Sequence, residues 1–243
     1  MIPGFPLRFA PRPRKMHGMS PPNAPAATRP VAVWDLPTRL FHWATAALVA
    51  ALYATARLNR MDLHVLAGET LLALLIFRIL WGFFGGQTAR FASFASSPAS
   101  ALRHLAHLAR PEPDRTVGHN QAGAWMVFVL LFLLLGETLS GLYTNNDVAN
   151  EGPFTEITPA PVANAITDLH TILWDALLAA IALHLLAILA YALLKRQNLV
   201  GPMITGTKRL PPDVPPPRFA RPAIALLLAA LSVIAATAIA TFL

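Results

Sequence analysis

Long apolar stretches separated by short polar segments dominate the pattern along the chain. Five of them reach or approach the roughly 20 residues that a helix needs to cross about 30 Å of hydrocarbon. These stretches are approximately residues 38–57, 63–85, 123–144, 165–194 and 222–243. Leu, Ala and Ile follow one another without the period-two alternation of strands, so the pattern predicts helices. We therefore predict an all-α integral membrane protein.

The polar segments divide the chain into three predicted parts. Residues 1–30 hold five basic residues among several prolines and predict a disordered cytoplasmic tail. Residues 31–210 contain the first four apolar stretches and predict a four-helix transmembrane bundle. Residues 211–243 combine a Pro-rich linker with a fifth transmembrane helix. The sequence suggests no role for the tail or for the fifth helix.

The composition supports lipid as the solvent for most of the chain. Hydrophobic residues make up 55% of the 243 residues and charged residues only 13%, against about 25% charged in a soluble domain. The chain has no cysteine, which excludes disulfides, iron–sulfur clusters and covalent attachment of c-type haem. Any haem is therefore expected to be held by axial ligands and packing alone.

Basic residues are distributed unevenly among the connections. The segment up to Arg39 and the loops after the second and fourth spans hold 16 of the 19 Lys and Arg residues. The loop after the first span has only Arg57 and Arg60, and residues 145–164 have none. This asymmetry predicts a cytoplasmic N-terminus. The net charge of +7 is thus a signal of topology, and we predict no nucleic-acid binding.

Four of the eight histidines lie inside the predicted spans, namely His42, His64, His170 and His184. Ionisable residues at membrane depth are costly and usually functional, although one such histidine alone is as readily a hydrogen-bonded packing residue. His170 and His184 are fourteen residues apart, which is about 21 Å and nearly four full turns of helix. The two side chains therefore share one helix face.

The depths of the four histidines predict two pairs. Alternate spans run in opposite directions, so His42 lies level with His184 near the cytoplasm. His64 lies level with His170 near the opposite surface. Haem iron accepts two axial imidazoles from facing helices, whereas zinc requires three or four ligands at one depth. The spacing predicts two haem irons about 20 Å apart.

Other residues in the spans fit the same interpretation. Gly68 lies one turn after His64, where a missing side chain admits a porphyrin, with helix–helix packing as the alternative. Arg78 is a candidate partner for a propionate of the cytoplasmic haem, with snorkelling to the interface as the alternative. Arg39 is a second propionate candidate. Glu137 is interpreted either as a proton-transfer group or as a hydrogen-bonding partner for a neighbouring helix.

Local motifs in this sequence are similar to those of a known family. The segment Trp34–Trp43 resembles the entry to the first helix in the prokaryotic cytochrome b561 family, which includes the b-type cytochrome subunits of Ni,Fe-hydrogenases. Phe77–Gly82 and Gly118–Met126 resemble the exit of the second helix and the entry of the third in that family. The resemblance covers about residues 31–210.

The resemblance implies a bundle with two non-covalent haem b groups that passes electrons between a periplasmic partner and membrane quinone. It implies a place in the bacterial inner membrane and a c-type cytochrome, dehydrogenase or hydrogenase subunit as that partner. By this likeness the family's iron ligands are His42 and His184 on the cytoplasmic side, and His64 and His170 on the periplasmic side. His119 matches a recurrent family position and is a candidate contact for a propionate or a quinone headgroup.

Three classes of function remain open in the sequence. The favoured class is an electron-transfer subunit that links a periplasmic oxidoreductase or c-type cytochrome to the quinone pool. The second is a stand-alone enzyme, such as a superoxide:quinone oxidoreductase or a ferric reductase. The third is a transporter or scaffold that uses its histidines structurally and binds no haem. The donor, the quinone type and the direction of electron flow are not specified by the sequence.

Overall fold

The computed structural model describes residues 28–106, 115–145 and 152–242, and this part of the chain is mainly helical. The long helices are α1 (Leu36–Arg57), α2 (Met61–Phe84), α5 (Gln121–Gly141), α6 (Ala160–Leu194) and α8 (Pro222–Phe242). The short elements are β1 (Arg29–Ala32), α3 (Phe91–Phe94), α4 (Pro98–Ala106), α7 (Val200–Thr205) and β2 (Thr207–Leu210). Nearly all of the predicted tail, residues 1–27, lies outside the described residues.

Each of the five predicted spans is a helix in the structure. Four of them, α2, α5, α6 and α8, are long and apolar enough to cross a membrane by length and composition. The first helix, α1, has 22 residues but includes Arg39, His42 and Arg57, and it is not among these four. The protein is thus a helical integral membrane bundle, as the sequence predicts, with α1 as its least apolar long helix.

Side chains at the helix ends explain where α1 and α5 begin. Asp35 precedes α1 and its Oδ1 accepts a hydrogen bond of 2.9 Å from the backbone N–H of Thr38. Asn120 precedes α5 and its Oδ1 accepts one of 2.8 Å from the N–H of Gly123. Such caps satisfy N–H groups that the first turn of a helix leaves unpaired. In a membrane they matter more, because few waters are present to replace them.

Helix α2 is the centre of the bundle. It packs against α1, α5 and α8, while α5 packs against α6. Leucines of α2, α5 and α6 form the main buried cluster: Leu71, Leu75, Leu131, Leu134 and Leu177. Three residues connect α1 to α2, and Asn59 among them has a φ of 53°, so the two helices form a tight antiparallel hairpin.

The C-terminal helix α8 lies along α2 and not apart from the bundle. Ala225 and Leu228 of α8 pack with Phe77 and Trp81 of α2 at one end. At the other end of α8, Ala236 packs into a cluster around Leu72 and Phe154. The predicted fifth transmembrane helix is therefore confirmed as a helix, and it packs along the central helix α2.

A small antiparallel sheet joins the two segments that flank the first four long helices. Strand β1 pairs with β2, with Arg29 opposite Leu210 and Ala32 opposite Thr207. Val31, Val33 and Leu210 are buried beneath the sheet, together with Val214. The sequence analysis did not predict these strands, which are too short and too irregular in pattern to stand out. The sheet fixes the start of α1 close to α7.

Candidate functional site

The four histidines of the predicted spans lie on three helices. His42 is in the second turn of α1 and His64 in the first turn of α2. Because α1 and α2 are antiparallel, His42 and His64 lie at opposite ends of the bundle. His170 and His184 are both on α6, about 21 Å apart along its axis. We refer below to His42 with His184 as the His42 site, and to His64 with His170 as the His64 site.

At the His42 site the structure brings the two imidazoles together with room between them. The ring centroids of His42 and His184 are 6.4 Å apart. A metal-bound imidazole nitrogen lies about 2 Å from its metal and the ring centroid about 1 Å farther, so two imidazoles on opposite sides of one iron have centroids about 6 Å apart. The observed spacing therefore fits two axial ligands of a single iron.

The helices that carry this pair do not pack closely against each other. Helix α1 contacts α2 closely, and α6 contacts α5, whereas the backbones of α1 and α6 stay apart. Large side chains cross the space between them, since Tyr53 of α1 stacks on Trp174 of α6 at 5.6 Å. The separation of α1 from α6 is what a flat macrocycle between His42 and His184 requires.

His64 is oriented by the helix before it. Its Nδ1 lies 3.0 Å from the carbonyl oxygen of Leu52 and 3.4 Å from Oγ1 of Thr55. A carbonyl oxygen can only accept, so Nδ1 carries the proton and donates it. The other ring nitrogen, Nε2, is then an unprotonated acceptor. This is the arrangement of a metal-binding histidine whose second nitrogen is held by a backbone carbonyl.

His170 is oriented in the same way by a serine. Oγ of Ser140 donates to the backbone carbonyl of Glu137 at 3.0 Å and lies 2.9 Å from Nδ1 of His170. A hydroxyl has one proton, so when Oγ donates to the Glu137 carbonyl it accepts from Nδ1 at the second contact. In that tautomer the neutral ring carries no proton on Nε2, as at His64. Ser140 was not predicted from the sequence, because a serine in the last turn of a span is common and gives no signal.

Glu137 contacts the other nitrogen of the same ring. Its Oε1 lies 3.3 Å from Nε2 of His170, and its Oε2 is buried without a partner in the structure. Glu137 is on α5 and His170 on α6, so the predicted contact with a neighbouring helix is confirmed. Coordination of an iron by Nε2 would compete with this contact, and the Glu137 side chain would then have to turn aside.

His64 and His170 interact electrostatically, although the described residues include no direct contact between their rings. Two glycines shape the space around them. A Cβ at Gly68 would meet no atom within 4 Å, so the alternative of close helix–helix packing at Gly68 finds no neighbour. A Cβ at Gly141 would lie 3.2 Å from Cε1 of His170. Gly141, which the sequence analysis also missed, thus makes room for the imidazole.

Arg78 lies at the end of the bundle that holds the His42 site. Its side chain is only 3% exposed, and its Cζ lies 4.8 Å from the centre of the Phe91 ring. It interacts electrostatically with Asp35, yet its Nη1 is buried without a hydrogen-bond partner. The predicted alternative, an arginine that snorkels to the surface, does not describe this buried side chain.

Several other buried polar atoms at this end lack a partner within the structure. They include Oδ2 of Asp35, Nδ1 of His42, Oγ1 of Thr88 and Nδ1 of His119. Native proteins leave few buried polar atoms unsatisfied, and those that remain indicate water or a bound group. Arg78 provides a cation among them. This environment fits the anionic propionates of a haem, with water completing the remaining bonds.

His119 lies between two aromatic rings just before α5. Its ring centroid is 4.6 Å from that of Trp34 and 4.8 Å from that of Phe94. Burial, followed by the nearby charge of Arg78, lowers the pKa of His119 to about 3. The imidazole is therefore neutral at physiological pH. It also interacts electrostatically with both histidines of the His42 site, so it belongs to that end of the bundle.

Arg39 makes a hydrogen bond to a distant part of the chain. It donates a hydrogen bond to the carbonyl oxygen of Ile204, near the end of α7. Trp43, one turn later on α1, donates to the neighbouring carbonyl of Met203 at 3.2 Å. Cations are stabilised at the carbonyl end of a helix. In the structure Arg39 therefore ties α1 to α7, while its Nε remains buried without a partner.

A tyrosine cluster at the same end was not predicted. The Tyr191 hydroxyl lies 2.6 Å from Nε2 of His104 and accepts a hydrogen bond of 2.8 Å from Nδ2 of Asn120. These contacts join α4, α6 and the residue that caps α5. Tyr191 stands near the end of a span, where aromatic residues commonly mark the membrane interface, so the sequence did not distinguish this polar role.

The residues described by the structure therefore fit two haem sites better than a zinc site. No group of three or more His, Asp or Glu side chains suited to a metal ion occurs in residues 28–106, 115–145 and 152–242. Each candidate site instead offers two imidazoles. At the His64 site Nε2 of His170 would become available to an iron once the Glu137 side chain turns aside. At the His42 site the ring spacing matches two ligands of one iron.

Comparison with known families identifies the family of the chain. The family model described as prokaryotic cytochrome b561 matches residues 33–206. The match contains α1, α2, α5 and α6 and all four histidines, and it confirms the family expected from the sequence motifs. No curated protein and no solved structure shows significant similarity to the chain.

The open space at Gly68 generates a prediction. A Cβ at this position meets no atom within 4 Å, so Gly68→Leu is expected to leave the fold intact while obstructing a porphyrin beside His64. Haem content per polypeptide and the helical circular dichroism signal measure the two effects separately. We expect the loss of one haem component with an unchanged helical signal. Gly68→Ala, which adds one methyl group, is the milder control. Full haem content in Gly68→Leu would place the porphyrin elsewhere.

Proposed function

The chain belongs to the prokaryotic cytochrome b561 family, and from this premise we propose that it is a di-haem cytochrome carrying electrons between a periplasmic donor and membrane quinone. Membership makes the chain a membrane haem b electron-transfer protein. The proposal adds the number of haems, their ligands, the donor, the quinone and the orientation. The inner membrane is the proposed location, with the N-terminus and the His42 site on the cytoplasmic side, as the Lys and Arg distribution supports.

The spacing of His42 and His184 is the observation that carries the proposal. Their centroids lie 6.4 Å apart on two helices whose backbones do not pack closely. If the histidines served only to stabilise a transporter or scaffold, they would be expected to bond to partners directly, as buried polar groups do. Nδ1 of His42 has no such partner. The spacing of the two imidazoles is instead suited to a bound group that both rings coordinate.

The proposed haems would be held and oriented by residues of the chain. A bound haem supplies an iron that accepts and releases one electron at a time. His42 and His184 bind one iron, and His64 and His170 bind the other. Without cysteine, no thioether fixes either haem, so axial bonds and packing retain them. Arg78 neutralises a propionate at the His42 site, because its Nη1 is buried there without a partner.

The quinone is proposed to react near the His42 site. Two electrons and two protons convert a quinone into a quinol, so the site must offer polar groups at the membrane boundary. His119 is neutral and its Nδ1 is buried without a partner. It lies at the same end as Arg78 and the His42 pair. A neutral imidazole there is suited to hydrogen bonding with a quinone oxygen.

The donor is proposed to dock over the His64 site. The acidic residues of this face include Glu156 and Asp168, which are exposed in the structure, and Asp147 and Glu151, which lie outside the described residues. Arg57 and Arg60 are the basic residues of the face. A c-type cytochrome with lysines around its haem edge, or a dehydrogenase or hydrogenase subunit with a basic patch, complements this surface.

Haem counting and single-ligand variants test the two-site proposal. The purified protein should contain two haem b per chain, and acid–acetone should extract all of the colour because no thioether can form. His170→Ala should remove or alter one spectral component and His184→Ala the other, since the sites are about 20 Å apart. His104→Ala, on α4, is the control that leaves both components in place. One haem per chain, or loss of the same component in both variants, would contradict the pairing.

Electrostatic steering of the donor generates the next prediction. A lysine-rich soluble c-type cytochrome should reduce the haems of the protein in proteoliposomes more slowly as the salt concentration rises. The double variant Glu156→Lys with Asp168→Lys should slow it by roughly tenfold at low salt, because charge reversal turns attraction into repulsion. Rapid-mixing absorbance measures the rate. The control is Asp213→Lys, which changes an exposed carboxylate that pairs with Arg115 beyond β2, away from this face.

The same experiment separates the proposed function from its alternative. An electron-transfer subunit needs the protein donor to reduce its haems and the added quinone. A superoxide:quinone oxidoreductase or ferric reductase would exchange electrons rapidly with superoxide or a ferric chelate in the absence of any donor protein. Salt-independent reduction by the cytochrome, together with rapid reaction with either small oxidant or reductant, would favour the stand-alone enzyme.

A further inference from the structure

The two candidate haem sites differ in how the protein holds their histidines. At the His64 site each Nδ1 has an acceptor: the Leu52 carbonyl oxygen for His64 at 3.0 Å, and Ser140 Oγ for His170 at 2.9 Å. At the His42 site, Nδ1 of His42 is buried without any partner in the structure. The difference bears on the electronic character of the ligands as well as on their positions.

The direction of the Ser140 contact follows from the nitrogen that binds iron. An imidazole bound to iron through Nε2 keeps its ring proton on Nδ1, so Nδ1 of His170 would donate to Ser140 Oγ at 2.9 Å. The Ser140 hydroxyl can then donate to the Glu137 carbonyl oxygen at 3.0 Å. Gly141, the next residue, has no side chain, and a Cβ there would lie 3.2 Å from the imidazole. Ser140 and Gly141 together select one tautomer and one position for the ring.

Donation from Nδ1 increases the electron density at Nε2, the nitrogen left for the iron. A more basic axial ligand stabilises the ferric state more than the ferrous state, and so lowers the reduction potential. The environment of the His42 site is expected to raise the reduction potential of a haem bound there. Arg78 is a buried cation at the end that holds His42, and a nearby positive charge favours the iron state with one positive charge fewer.

We propose that Ser140 is a positioning residue that fixes the donating tautomer of His170 and thereby makes the haem at the His64 site the lower-potential haem of the two. This inference rests on the proposed function, because it requires a haem at each site. An electron entering at the His64 site then passes to the His42 site with a favourable change in free energy. The direction of electron flow, which the sequence left open, is from the His64 site towards the His42 site.

A redox titration of the holoprotein tests the role of Ser140. Haem absorbance is followed against applied potential, and the two components are assigned from His170→Ala and His184→Ala. Ser140→Ala removes the acceptor, so at a fixed potential the ferrous-to-ferric ratio of the His64-site haem should rise about two- to tenfold, the equilibrium effect of one hydrogen bond. The other component should not move. Ser140→Thr retains a hydroxyl acceptor and should restore most of the original potential.

A matched serine elsewhere provides the control. Ser232 on α8 is buried and donates to the Leu228 carbonyl at 2.7 Å, an intrahelical bond like that of Ser140. Ser232→Ala should therefore leave both potentials unchanged. Repeating Ser140→Ala in a Glu137→Gln background separates the hydrogen bond from any charge on the neighbouring carboxyl. The low-temperature electron paramagnetic resonance signal of the ferric His64-site haem should change in Ser140→Ala and stay unchanged in Ser232→Ala.

The possible outcomes distinguish this inference from the proposed function. A wild-type protein that binds fewer than two haems overturns the proposed function itself. Two haems with the higher potential at the His64 site, or an unshifted potential in Ser140→Ala, overturn the inference and leave the function standing. If Ser140→Ala loses its haem, the wild-type order of potentials still decides whether the His64-site haem is the lower one, and Ser140→Thr decides whether a hydroxyl suffices.

Discussion

An imidazole inside a bilayer has two ring nitrogens and no bulk water to satisfy them, so each nitrogen requires a partner within the protein or on a bound group. In this protein the chain itself provides hydrogen-bond partners for some of these nitrogens. The Leu52 carbonyl contacts Nδ1 of His64 and Ser140 Oγ contacts Nδ1 of His170, so each ring has a hydrogen-bond acceptor for the tautomer that leaves Nε2 unprotonated. A low-spin haem iron is a partner that takes one nitrogen from each of two such rings.

The helical scaffold determines where these rings can meet. Helix α6 carries one histidine of each site, and its regular rise fixes their separation at about 21 Å. The α1–α2 hairpin supplies the other two, one near each end of the bundle. Leu75 of α2 is fully buried among leucines of α5 and α6, which holds α2 in the centre. The β1–β2 sheet and the contact of Arg39 with α7 fix the start of α1.

Features that depend on periodicity were predictable from the sequence. The spans follow from apolar length, and the shared face of His170 and His184 follows from a spacing of nearly four turns. Features that depend on contacts between distant segments were not. Ser140, Gly141 and Tyr191 belong to residue types that are common in spans, and their roles arise only when α5 and α6 pack. The hydrogen bond of Arg39 was likewise not predicted, because its carbonyl partner lies 165 positions away in the chain.

Near-infrared magnetic circular dichroism of the oxidised protein can show whether each of two irons is bound by two imidazoles. The position of the ligand-to-metal charge-transfer band identifies the axial ligand pair of a low-spin ferric haem. The account predicts a single band type, characteristic of bis-imidazole ligation, with an intensity that corresponds to two haems per chain. A second band type, or a high-spin signal from either haem in the native protein, would contradict it.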